Sequence, residues 1–264
     1  LFGVALQRDG KIVVAGTVFP PAGSADAVVA RYLANGAPDG SFGSSGGATF
    51  SFGSSDRALD VALQSDERIV VADAVGLSGY EQISAFRLES DGTVDLGYGS
   101  AGIALPINDA LTSVPASLGL LPGGGVALMG DMTHASYAST FVAVALDDTG
   151  AAAPGYADSG VAATFVREGT WDYGMDVEVA PDGRVITAVT TLTPPQCLPS
   201  QPGDMAVTSH LPDGSLDPDF GQDGIANLDE LGVSSQVEAM ALQPDGKILL
   251  AGNGYNTNVD FRVV

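Results

Sequence analysis

The sequence predicts an all-β chain assembled from repeated units of four short antiparallel strands, and three observations carry that prediction. A strand–turn–strand phrase returns five times, with its turn at Asp9, Asp66, Gly123, Asp182 and Asp245, so successive copies stand 57, 57, 59 and 63 residues apart. Within each copy the apolar residues alternate or form short β-branched runs, and no stretch repeats at helical spacing. The third observation is turn chemistry, with 35 Gly and 15 Pro spread between the strands. A fixed period of this size means units that bury their faces only by stacking on neighbours. Each unit reads as one propeller blade or one segment of a sandwich.

The units run over about 1–55, 56–112, 113–171, 172–234 and 235–264. The second shows the element order best. Leu59, Val61 and Leu63 alternate along a half-buried first strand, Ser65–Arg68 turn, and Ile69–Ala72 is a β-branched run that belongs in a core. Ile83–Leu88 makes the third strand, Glu89–Gly92 the next turn, and Ile103–Ile107 the fourth strand. The opening phrase of unit 1, Val4–Gly16, matches Val61–Ala72, weakens in Gly119–Gly130 and Val177–Thr187, and returns nearly intact in Met240–Gly252.

A second phrase follows in the same order: Ala30–Gly43 matches Phe86–Gly99, decays at Val144–Gly150 with Tyr156, and sharpens again at Ser209–Gly221. The aromatic that follows each of these turns predicts a ring plugged between adjacent units. Unit 5 stops in its third strand, at Asp260–Val264. Four complete units and a three-stranded fifth close a five-bladed ring if the absent strand is the outermost. An opening at Leu1, without Met and within a strand pattern, reads as a piece of a longer precursor.

The two ordered phrases, Ala-Leu-Gln-Pro-Asp-Gly-Lys-Ile at 241–248 and Asp-Gly-Ser-Leu-Asp-x-x-Phe-Gly at 213–221, strongly resemble the delta-60 repeat family of bacterial β-propellers. The resemblance covers nearly the whole chain. Unit 3 departs most, with Gly123 in place of the turn Asp and Ala153 where the other units carry Asp39, Asp95 and Asp217. The resemblance implies a β-propeller of five blades, mostly four-stranded with the last incomplete, and a secreted or cell-surface bacterial protein. It maps no catalytic motif onto these residues.

Composition narrows the partners. Asp and Glu number 32 against 10 Lys and Arg, a formal charge of -22 that repels nucleic acid and anionic membrane surfaces. Cations and basic surfaces are left as electrostatically suited partners. Cys197 is the only cysteine, so no intrachain disulfide forms. No apolar run is long enough for a transmembrane segment.

Candidate site residues are few. Asp56, Ser113, Asp172 and Ser235 occupy one repeat position, and if the first strand lines a central channel they ring one mouth and suit a cation. The competing reading makes them turn formers at strand entries, and it is preferred by about three to one on turn chemistry. Trp171 and Tyr173 flank Asp172 and offer stacking surface for a sugar or a cation, although an indole more often packs between blades. Asp213, Ser215, Asp217 and Asp219 have the alternate spacing of a calcium loop, so calcium is the one cofactor the sequence suggests. Against calcium, Gly is not at the sixth position, no Glu stands at the twelfth, and the repeat itself explains most of the pattern. Of the bases, His210 takes a core position of the repeat, and His134 has no evident partner.

Two function classes follow. A non-catalytic propeller that binds or scaffolds a protein or glycan partner, alone or as part of a larger protein, is preferred because no nucleophile motif is present. The alternative is a carbohydrate-active hydrolase or lyase using carboxylates at the channel mouth. It requires two acids outside the turns, drawn from Asp56, Asp60, Asp172 and Asp176, to converge within glycosidase reach.

Overall fold

A computed structural model describes residues 1–21, 23–77, 79–107, 112–133, 139–167, 169–192, 203–228, 234–255 and 259–263. Cys197 and His134 lie outside the described residues. Every regular element among those described is a strand. The first sheet is β1 (Gly3–Leu6), β2 (Ile12–Val18), β3 (Asp26–Tyr32) and β4 (Gly47–Phe50). The second is β5 (Asp56–Leu63), β6 (Ile69–Leu77), β7 (Tyr80–Leu88) and β8 (Ile103–Ala104), and the third β9 (Thr112–Leu120), β10 (Val126–Thr133), β11 (Ser139–Leu146) and β12 (Val161–Thr164). β13 (Trp171–Val179), β14 (Val185–Leu192), β15 (Gly203–His210) and β16 (Ile225–Asn227) form the fourth. The fifth has three strands, β17 (Ser234–Leu242), β18 (Ile248–Tyr255) and β19 (Val259–Val263). Each is an antiparallel meander in chain order, and the first strands touch one another in succession, β1 to β5 to β9 to β13 to β17. This is a five-bladed β-propeller with its first strands innermost and three strands in its last blade.

Burial follows from stacking. β6 is buried along almost its whole length because both of its faces are covered, which accounts for its unbroken run of Ile, Val and Ala. Ile69 and Val71 face blade 1 with Val13 and Ala15, while Val70 and Ala72 face blade 3 with Leu128 and Leu118. Four such clusters join blades 1–2, 2–3, 3–4 and 4–5.

Aromatic plugs complete three of these seams. The Phe42 ring lies on the turn at Gly92, and the Tyr98 ring on the turn at Gly150. A Cβ at either glycine would meet the ring at 2.9 Å, and both have positive φ, so only glycine fits there. Beside each ring a backbone hydrogen bond crosses the seam, Gly43 N–H to Asp91 O and Gly99 N–H to Thr149 O, repeated by Ala157 N–H to Asp213 O.

One expectation changes. No hydrophobic cluster joins blade 5 to blade 1 among the described residues, and the faces that would meet are open. Val4 is 68% and Leu6 71% exposed on blade 1, whereas the equivalent Val61 of blade 2 is 5% exposed. Among the described residues the Val4 and Leu6 face of blade 1 is therefore left uncovered.

Candidate functional site

The four residues proposed for a channel mouth stand at the entry of each inner strand and are all buried. Asp56 Oδ2 accepts from Gly53 N–H at 3.1 Å, and Ser113 Oγ from Ile83 N–H of the preceding blade at 2.9 Å. Asp172 accepts from Val166 N–H at 2.8 Å and from Thr170 Oγ1 at 3.0 Å. Ser235 Oγ is buried with no hydrogen-bond partner among the described residues. Asp56 Oδ2, Ser113 Oγ and the Asp172 carboxylate thus bond the protein's own groups, while Asp56 Oδ1, like Ser235 Oγ, is buried without a partner among the described residues. Trp171 and Tyr173 are half-buried at the start of β13.

The calcium-spaced set is occupied in the same way. Asp213 Oδ1 closes its turn on Ser215 N–H and Oγ, Asp217 Oδ1 accepts from Asp219 N–H, and Asp217 Oδ2 lies 3.2 Å from the Arg184 guanidinium. A guanidinium at that oxygen competes with a cation, and no group of three acidic, His or Cys ligands converges among the described residues. His210 is fully buried, 2.9 Å from Thr164 Oγ1, and burial pushes its pKa down to about 4.

The acids that do converge are on the axis. In blades 2 to 5 a bulge interrupts the inner strand at one position, and the residue just after it is Asp60, Ser117, Asp176 or Ala239. A bulge re-aims the side chains beside it. Ser117 Oγ lies 3.0 Å from Asp60 Oδ2 and 2.8 Å from Asp176 Oδ1. The two carboxylates of blades 2 and 4 are thus held on one hydroxyl of blade 3, their nearest oxygens no more than about 6 Å apart.

Ser117 has a single proton to donate, so both contacts are hydrogen bonds only when one carboxyl is protonated. Burial, with Asp176 nearby, raises the pKa of Asp60. Burial and then Asp176 do the same for Glu178, two residues along β13.

These carboxylates also fasten the inner strands. Asp60 Oδ2 accepts from Leu118 N–H of blade 3 at 3.0 Å and Oδ1 from Val61 N–H at 2.8 Å. Asp176 Oδ2 accepts from Met240 N–H of blade 5 at 2.7 Å and Oδ1 from Val177 N–H at 2.9 Å. The sequence contained the signal for Ser117, which shares its repeat position with Asp60 and Asp176.

A second polar network, also missed, lies between blades near the outer turns. Arg31 Nε meets Asp39 Oδ2 at 2.9 Å, Nη1 reaches Ser90 O of blade 2 at 2.5 Å, and the guanidinium sits 4.8 Å over the Phe42 ring. Blade 2 repeats it: Arg87 pairs with Asp95, reaches Asp148 O of blade 3, and lies 4.6 Å over Tyr98. Arg68 adds a second cation to Asp95, and Gln64 bonds Gly124 O across the same seam.

Comparisons with known proteins agree with the architecture. The family described as a domain of unknown function (DUF5122) beta-propeller matches residues 7–42 and 243–264, less than a quarter of the chain. No curated protein matches. A protein of unknown function from Dyadobacter fermentans superposes with a TM-score of 0.59 at 10% identity, over 99% of this chain and 76% of that one. A gluconolactonase from Xanthomonas campestris gives 0.41 at 13% identity, over 94% of this chain and 68% of that one. At 10% identity the likeness to the Dyadobacter protein is one of fold alone.

Proposed function

We propose that residues 1–264 act as one non-catalytic β-propeller domain that binds or scaffolds a protein or glycan partner at the cell surface or outside the cell. The observation that supports this most is the use made of the axial acids: every oxygen of Asp60 and Asp176 takes a backbone N–H. A catalytic acid has to exchange its proton with substrate, and these hold neighbouring strands instead. The charge of -22 favours partners with basic surface and disfavours nucleic acid. The extracellular setting rests on the resemblance of the repeats alone.

A second reading keeps one specific support. Asp60 and Asp176 meet through Ser117 with oxygens no more than about 6 Å apart, an upper limit that takes in the roughly 5–5.5 Å separation of a retaining glycosidase pair. Assays of the purified protein on a panel of polysaccharides and aryl glycosides, beside a glycan array, separate the two. The binding reading expects no turnover, and it expects Asp60→Asn to lower the melting temperature by weakening the strand fastener. Turnover that disappears in Asp60→Asn and Asp176→Asn proteins of unchanged stability would establish the enzyme.

A further inference from the structure

The seam between blades 3 and 4 lacks the arginine, aspartate, second cation and glutamine that blades 1 and 2 contribute to the seams that follow them, while the walls that hold those side chains are in place. Strand registers make Ala145 the equivalent of Arg31 and Arg87, and Ala153 the equivalent of Asp39 and Asp95. Gly125 stands where Lys11 and Arg68 stand, and Leu121 where Gln7 and Gln64 stand. The backbone is unaltered: Ala153 N–H bonds Ala145 O as Asp39 N–H bonds Arg31 O, and Ala157 N–H still docks on Asp213 O.

The deletion leaves a cleft of about 260 Å³ bordered by Leu121, Ala145, Ala153, Tyr156, Asp182 and Pro212. Its parts match the surroundings of the two arginines. Tyr156, 4% exposed at the floor of the cleft, is the equivalent of the Phe42 and Tyr98 rings on which Arg31 and Arg87 lie, and no cation covers it among the described residues. Pro212 precedes the docked turn residue, as do Ser90 and Asp148, whose carbonyls accept from the arginine Nη1 groups. Asp182 puts a carboxylate on the rim, shared with Arg184 at 2.9 Å.

We propose that this cleft binds an alkylguanidinium group, the side chain of an arginine supplied from outside the chain. The cation would lie on the Tyr156 face, donate to Pro212 O and run its methylene stem along Leu121 and Ala145. A neutral group of the same length gains only the apolar part, and an ammonium lacks the planar fork that stacks and donates together. The net charge of the chain adds long-range attraction. The site is separate from the axial acids, so it stands or falls independently of the binding-or-enzyme question.

The test is titration calorimetry of the whole chain with Nα-acetyl-arginine amide, the matching citrulline and lysine amides, and a glycine–serine peptide carrying one arginine. Saturable binding of the arginine amide, at least about tenfold tighter than citrulline, is expected. Equal binding of the peptide would identify arginines of a polypeptide as the source, and binding of the capped amino acid alone would identify small guanidines. Ala153→Asp restores the missing carboxylate and is expected to tighten binding about tenfold. Tyr156→Leu should remove binding while circular dichroism stays unchanged. Ala145→Arg with Ala153→Asp fills the cleft from within, abolishes binding and raises the melting temperature. Equal binding of citrulline, no binding at all, or binding that survives in the filled variant would overturn the proposal.

Discussion

Asp73 and Asp131 show how the environment of a single residue sets a property of the whole chain. Both occupy second strands, Asp73 fully buried and Asp131 half-buried, and burial pushes each carboxyl up to about 7. For Asp73 the nearby Asp56 charge adds to burial. Below about pH 4 both folded and unfolded chains hold these protons, and stability is indifferent to them. Between pH 4 and 7 the unfolded chain releases protons that the folded chain keeps, so stability falls as pH rises and levels off above 7.

Asp73→Asn retains the Ser84 Oγ contact and removes the ionisation. It is expected to raise stability at pH 8 by on the order of 2 to 4 kcal/mol, and to change it little at pH 4. Denaturant melts at the two pH values measure this. A gain at pH 4 as large as at pH 8 would refute the burial argument. Asp131 should leave about half of the pH slope in place.

At the scale of the blade, the arginine–carboxylate network behaves as one unit. Arg87 and Asp95 are nearly buried and pair with each other, so Arg87→Ala leaves Asp95 with the Gly97 N–H and, as its one remaining cation, the partly exposed Arg68. A loss of about 3 kcal/mol is expected. Arg87→Ala combined with Asp95→Ala reproduces what blade 3 carries in Ala145 and Ala153, and should cost less than Arg87→Ala alone because no charge is stranded. Chemical denaturation of the two variants checks the order, and a more severe double variant would mean that packing of the arginine stem outweighs its charge.

For the whole molecule, the open seam decides which equivalent residues matter. Val4 and Val61 share a repeat position, yet one is 68% and the other 5% exposed. Val61→Asp buries a charge in the cluster between blades 1 and 2, and a loss of roughly 3 kcal/mol or more is expected. Val4→Asp should cost less than about 0.5 kcal/mol in the 264-residue chain. Thermal melts of the two proteins at matched concentration are the measurement. Equal losses would mean that the face of blade 1 is covered in solution.

Sequence alone determined the strands, their order, the turns and the stacking, because a period-2 apolar pattern and Asp-Gly turns act within a few residues of where they stand. The plugging rings at Phe42 and Tyr98 were legible for the same reason, since the repeat fixed their place beside a glycine turn. The tertiary structure decided what the repeat could not. It buried Asp56 and Asp172 against their own loops and brought Asp60 and Asp176 together on Ser117. It also left the Val4 and Leu6 face of blade 1 exposed. Those outcomes depend on how far each blade rotates from the one before it and on where a bulge turns a side chain. The meeting of Asp60, Ser117 and Asp176 sums packing between residues more than 50 positions apart, which no local pattern encodes, whereas Asp56 and Asp172 are bonded by residues two to six positions away.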